Sequence, residues 1–368
     1  MLDYQITYYQ DNLIMRLYKY LILIKLMNAL KYLDSSKILA ILIGVVSFGS
    51  LISLPVLAQL NPKLNLPLLN TPVAKPLSIS STSTPAQQTD EPKAQVASSD
   101  RSGKLIFQRQ SSTYYLYTPK SYQPNQPMPL VIAFHGSHGS GRSLANVTHL
   151  DDLAEQKGFI VVYPDGINYH WHEVKGYSSS QIDVDNASFV TALIEHLKQI
   201  RNIDPHKIYA VGFSSGGILT QSLACQLSGQ IAAFASVAGT LPANVTDGCQ
   251  PQAPVSILML NGTGDESVPY FGGKIDGVRD AVSVPKIVEL WQQHNGCVSK
   301  ANSQSGKQVE IARYLGCRGD SEVMLVTIKG SGHAWPGATS ETAKQQGSAN
   351  EINANQIIWD FFQRHTLS

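Results

Sequence analysis

The chain has 368 residues with 28 Lys+Arg against 27 Asp+Glu, and 15% of its residues are charged. It is long enough for one large core or two modest ones, and its +1 net charge lacks the basic excess that neutralising nucleic-acid phosphates requires. Charge this sparse also excludes a long coiled coil and an acidic disordered chain.

Residues 38–57 read ILAILIGVVSFGSLISLPVL, with no charged residue, and come after Arg16, Lys19, Lys25, Lys31 and Lys37. A basic flank, an apolar run and then Val56-Leu57-Ala58 fit a secretory signal at 1–58, cleaved after Ala58. The run is also long enough to span a bilayer as an uncleaved anchor. Both readings hold the basic side in the cytoplasm and export the chain from residue 59 onward, to the periplasm or the exterior. Any membrane contact is expected through this segment. Without it the chain carries 23 basic and 24 acidic groups, a net of −1, which strengthens the case against nucleic acid. Residues 59–103 have frequent Pro, Ser and Thr, no aromatic residue and no sustained period. Such a segment cannot bury enough apolar surface to offset its ordering entropy, so a disordered linker is expected.

From 104 to 368 strand and helix patterns alternate. LIFQR and TYYLYTP read as an opening hairpin, and PLVIAF at 129–134 as a strand buried on both faces. A helical stretch at 149–157, strand FIVVYPDG and helix ASFVTALIEHLKQI come after it. Next are strand KIYAVGF, helix GILTQSLACQL, and strands AFASVAG and PVSILML. Helix VPKIVELWQQH, strand EVMLVTI and helix NQIIWDFFQRH close the chain. Strands alternating with helices imply βαβ units and a mainly parallel sheet, hence a single α/β domain.

The sharpest motif is Gly212-Phe213-Ser214-Ser215-Gly216, between a strand and a helix. G-x-S-x-G in that context is a nucleophile elbow, whose strained turn lifts the Ser214 hydroxyl clear of the sheet. A serine needs a base and an orienting acid, expected downstream in the order Ser, Asp, His. Asp265 lies after the strand PVSILML, in a loop at a strand's carboxyl end, where open α/β sheets place function; the adjacent Glu266 reads as a solvated charge. His333, in GSGHAWPG, lies after the last strand on a glycine-rich loop. His294 and His365 also lie downstream of Asp265, but near helix C-termini, where the dipole explains them. The catalytic candidates are therefore Ser214, Asp265 and His333.

The loop 135–143, HGSHGSGRS, should supply the second oxyanion donor, so the backbone N–H groups of Ser137 and Ser215 form the expected oxyanion hole. The second loop histidine, His138, reads as an exposed loop residue. Residues 136–143 are also a near miss to a phosphate-binding loop, with Arg142 in place of lysine, which keeps a nucleotide-binding reading open. His170, His172 and Glu173 cluster without a distant fourth ligand, so no metal is expected, and acyl transfer calls for no cofactor. Local proximity favours disulfides Cys225–Cys249 and Cys297–Cys317, the second pair flanking one strand; four buried thiols are the alternative.

Residues 104–368 resemble the extracellular poly(3-hydroxybutyrate) depolymerase and feruloyl esterase family, a branch of the α/β-hydrolases. The matching pieces, in the family's order, are PLVIAFHG, YPDG, NIDPHKIYAVGFSSGG, LNGTGDESVPY, GSGHAWPG and EINANQIIWDFF. The resemblance implies that Ser214, Asp265 and His333 act together, with Ser137 and Ser215 as the oxyanion hole and the cysteines paired as above. It also implies that Trp171 and Trp335 line the ester-binding cleft, and His135 is a further substrate-binding candidate. The implied substrate is a polyester oligomer or a feruloylated or acetylated polysaccharide. Two positions depart from the pattern: Ser137 stands where the family often has Cys, and Asn261 where it often has His. Some chains of this fold have lost catalysis and bind cell walls, but here all three reactive residues stand in the right order.

Overall fold

The computed structural model describes residues 101–108, 110–166, 171, 185–246, 248–275, 279–338 and 352–367. The leader at 1–58, residues 59–100 of the linker, and His170, His172 and Glu173 lie outside the described residues.

The strands open with β1 (Arg101–Phe107), β2 (Gln110–Tyr117), β3 (Met128–Phe134), β4 (Ile160–Pro164), β5 (Ile203–Phe213) and β6 (Ala233–Val237). They continue with β7 (Ile257–Gly262), β8 (Gly273–Ile275), β9 (Arg279–Ala281), β10 (Ser299–Ser305), β11 (Val309–Leu315) and β12 (Val323–Ile328). The helices are α1 (Gly141–Thr148), α2 (Leu150–Lys157), α3 (Asn186–Ile200) and α4 (Ser215–Gln226). After them come α5 (Ala243–Thr246), α6 (Val284–Asn295) and α7 (Ala354–Phe362).

Among the described residues, ten strands form one sheet in the order β1-β2-β4-β3-β5-β6-β7-β12-β11-β10, while β8 and β9 pair separately. The middle six strands are parallel, and antiparallel strands finish both edges. The parallel strands are the continuous apolar runs, because helices cover both of their faces. In β3, Leu130, Ile132 and Phe134 enter one core and Val131 and Ala133 the other, as the two-residue strand period requires. Helices α3, α4 and α6 close the first face with Leu193, Leu223 and Trp291. Helices α1, α2 and α7 close the second with Leu144, Leu153 and Phe362. This is the α/β-hydrolase fold, as expected, and its parallel centre aims the carboxyl ends of β5, β7 and β12 at the same edge.

Three local features differ from the sequence-based expectation. Strand β1 begins at Arg101, ahead of the boundary placed at 104. Helix α1 starts inside the stretch read as a loop, because Ser140 and Ser143 form a reciprocal capping box at its N-terminus. The segment between Cys297 and Cys317 holds the β10–β11 hairpin rather than one strand. The cysteines pair as Cys225–Cys249 and Cys297–Cys317, the second bond closing the base of that hairpin. No described helix is long and apolar enough to cross a membrane.

One buried carboxylate ties the far edge of the sheet to the end of the chain. Glu322, 2% exposed, receives Arg313 Nε at 2.6 Å and Arg364 Nη2 at 3.2 Å, and His365 Nε2 lies 3.4 Å away. Burial pushes the Glu322 carboxyl up, but His365, Arg313 and Arg364 outweigh it and hold it at about 2. The value in the folded chain is thus below the ordinary one of about 4.3. The stabilisation is complete above pH about 4.3 and drains away as the pH falls toward 2. Glu322→Gln should lower stability at pH 7 by about 2 kcal/mol, since the half-exposed arginines recover part of their hydration. Denaturant titrations at pH 7 and pH 3 check this: the gap between wild type and variant should narrow at the lower pH.

Candidate active site

The site begins where β5 turns into α4. Ser214 has φ 57° and ψ −119°, a left-handed conformation that a side chain adopts only when its surroundings impose it. Its N–H donates to the Val237 carbonyl at 2.9 Å and its carbonyl accepts from Ile218 N–H at 3.0 Å, fixing both ends of the turn. The flanking glycines are steric necessities: a Cβ at Gly212 would collide with the Gly216 carbonyl, and one at Gly216 with the Phe134 carbonyl.

The candidate acid and base arrive on neighbouring strands. Asp265 lies after β7 and His333 after β12, which pairs with β7 in parallel. Their loops are joined directly: Gly264 N–H donates to Ser331 O at 2.9 Å and Gly330 N–H to Thr263 Oγ1 at 2.8 Å. Asp265 is 5% exposed, and its Oδ1 accepts from the N–H groups of Ser267 at 2.9 Å and Val268 at 2.8 Å. Its Oδ2 lies 2.7 Å from His333 Nδ1, and His333 Nε2 lies 2.8 Å from Ser214 Oγ. The carboxylate can only accept, so Nδ1 carries the hydrogen and the Nε2 lone pair faces the serine hydroxyl. The Phe213 ring lies 5.1 Å from the imidazole, centroid to centroid. Glu266, by contrast, is exposed. The three residues singled out from sequence are thus brought into one hydrogen-bonded line.

Ser215 opens α4, so its N–H has no acceptor within the helix. Ser137 lies in the turn 136–139, closed by Gly139 N–H on Gly136 O at 3.0 Å. That turn is pressed against Ser214: a Cβ at Gly136 would sit 3.3 Å from Ser214 Cβ. His138 is exposed there, with φ 60°. The phosphate-loop reading of 136–143 fails on two contacts. The α1 N-terminus is already filled by a carboxylate, Gly141 N–H donating to Asp165 Oδ1 at 2.7 Å, and the Arg142 guanidinium lies over the Tyr115 ring at 4.0 Å. No group of three or more His, Cys, Asp or Glu among the described residues is arranged to hold a metal ion.

Trp171, Trp335 and His135, the residues expected at the substrate cleft, are buried, at 8%, 3% and 1% exposure. Trp335 donates its indole N–H to Asn355 Oδ1 at 3.0 Å and meets Phe213 edge-on, so it supports the base loop from behind. Trp171 packs on Phe134 and donates to the His135 carbonyl at 2.8 Å. Both ring nitrogens of His135 are engaged with backbone. Sequence reasoning passed over Asp165 and Gly166, whose sole signal was the YPDG stretch within the family resemblance.

The family model described as Esterase PHB depolymerase matches residues 112–313, more than half of the chain. Feruloyl esterase B of Piromyces equi is 30% identical over 223 residues, covering 59% of this chain and 41% of that protein. A bifunctional acetylxylan esterase/xylanase of Neocallimastix patriciarum is 28% identical, covering 69% of this chain and 33% of that protein. The chain thus spans less than half the length of either relative. Among solved structures, a thermostable esterase is 16% identical with a TM-score of 0.49, covering 73% of this chain and 63% of that one. By the family match, with a nucleophile elbow and a Ser-His-Asp line at its centre, this chain belongs to the esterase PHB depolymerase family.

Proposed function

We propose that the protein is a serine carboxylic-ester hydrolase working through an acyl-enzyme. The observation that carries this reading is the imidazole of His333, held 2.7 Å from Asp265 and 2.8 Å from Ser214 Oγ. Asp265 fixes the ring tautomer and stabilises the imidazolium that forms when His333 takes the serine proton. Ser214 Oγ adds to the ester carbonyl, and the N–H groups of Ser137 and Ser215 receive the charge that moves onto its oxygen. The intermediate collapses, the C–O bond breaks, and the alcohol leaves with the proton from His333. Water, deprotonated by the same ring, then splits the acyl-serine. A silent binding module would have no use for this alignment, and a nucleotide site is disfavoured by the Asp165 and Arg142 contacts.

As substrate we propose an acetyl or feruloyl ester carried on a polysaccharide, in keeping with the names of the two relatives. A hydroxybutyrate ester is the competing choice, suggested by the family description. Export to an oxidising compartment is supported by the two disulfides together with the apolar leader at 1–58.

Ser214→Ala should lower kcat on p-nitrophenyl acetate by about 10⁶ without altering thermal stability; more than about a thousandth of the rate remaining would rule Ser214 out as nucleophile. Asp265→Asn should cost about 10⁴ in kcat through loss of the correct tautomer, and a loss under about tenfold would contradict its role. Side-by-side kinetics on acetylated xylan, methyl ferulate and 3-hydroxybutyrate oligomers should give higher kcat/KM on one of the first two. A preference for the oligomers would reassign the substrate while leaving the mechanism intact.

A further inference from the structure

We infer that His135 is a positioning residue: its neutral imidazole clasps the oxyanion loop to the Asp165-Gly166 turn and so sets where the Ser137 N–H points. The inference rests on the esterase reading of the site. His135 ends the β3 edge of the site and is 1% exposed, so it is out of a substrate's reach. Its Nδ1 lies 2.8 Å from the Gly136 carbonyl, and its Nε2 receives the Gly166 N–H at 3.0 Å. A carbonyl can only accept, so Nδ1 carries the hydrogen and Nε2 the lone pair. A protonated ring would set Nε2–H against the Gly166 N–H and open the contact.

The loop is folded around this ring. A Cβ at Gly139 would come within 3.3 Å of His135 Cβ and 3.4 Å of its Nδ1, so the turn 136–139 lies against the imidazole. The Gly136 carbonyl accepts from Gly139 N–H as well as facing Nδ1, which joins the turn and the ring at one oxygen. The His135 carbonyl is held by the Trp171 indole at 2.8 Å, with the two rings 4.7 Å apart. The far end of the loop is tied to the same anchor, Gly141 N–H donating to Asp165 Oδ1 at 2.7 Å. Asp165 is itself fixed to β2, by its N–H on Thr113 O at 2.8 Å and by Thr113 Oγ1 on its Oδ2. Ser137, whose side chain is exposed, sits between the two ties. Its N–H direction is therefore decided by His135 and Asp165 rather than by contacts of its own side chain.

The test compares wild type with His135→Ala, His135→Asn and Trp171→Phe. The readouts are kcat and KM on p-nitrophenyl acetate, affinity for phenylboronic acid as a tetrahedral mimic, and labelling of Ser214 by a fluorophosphonate. Misplacing one oxyanion donor should lower kcat by about 100-fold in His135→Ala while KM changes less than about threefold. Boronate affinity should fall in step with kcat. His135→Asn, whose amide reproduces the Nδ1–H donor, should recover part of both, and Trp171→Phe should show a smaller loss of the same kind. A folded His135→Ala with kcat and boronate affinity within about threefold of wild type overturns the clasp. If that variant does not fold, unchanged kcat and boronate affinity in folded His135→Asn and Trp171→Phe overturn it. Failure of wild type to label at Ser214 removes the esterase reading and the clasp together, whereas normal labelling with unaltered variants removes the clasp alone.

Discussion

The whole site depends on one backbone constraint, the left-handed conformation of Ser214 at the end of β5. Such a conformation costs on the order of 1–3 kcal/mol in a residue with a side chain and persists only if its neighbours leave no alternative. Here they leave none. The serine N–H is bonded to β6 through Val237, the helix begins at the next residue, and the close approach of α4 to β5 and to the end of β3 admits no Cβ at Gly212 or Gly216. The interior glycines are therefore packing requirements as much as conformational ones. What the strain secures is direction: the Ser214 hydroxyl is set 2.8 Å from His333 Nε2.

The remaining parts are held to that point by different means. Acid and base sit on loops, but the loops are joined to each other and grow from paired parallel strands, so β7 and β12 carry Asp265 and His333 as one unit. The buried Asp265 accepts from two backbone N–H groups besides His333, which fixes the direction of its carboxylate. On the other side, the carboxyl end of β4 supplies Asp165 and Gly166, which brace the loop carrying Ser137. The geometry of the candidate site is thus distributed over β3, β4, β5, β7 and β12, and the sheet order is what brings them to one edge.

The sequence made much of this readable because the relevant signals are local. A continuous apolar run reports a strand buried on both faces, and the glycines around Ser214 report a turn with no room for side chains. Chain order, together with a position in a loop just after a strand, singled out Asp265 and His333. The misses share a cause: they concern features decided by tertiary surroundings. SKANSQS, in β10, has no apolar period to betray a strand, and it is the outermost strand of the described sheet. Helix α1 is eight residues long and is started by a serine pair that reads equally well as a turn. How deeply Trp171, Trp335 and His135 lie is likewise a tertiary property, which residue type and spacing do not carry.

The central claim is that Ser214 becomes acylated during turnover. Rapid mixing of the protein with excess p-nitrophenyl acetate, then acid quench and peptide mass spectrometry, tests it most directly. The expected result is a burst of p-nitrophenol equal to the protein present, with one acetyl group on the peptide carrying Ser214 and none there in a His333→Ala variant. Turnover without acetyl on that peptide, or with acetyl on another residue, would contradict the account.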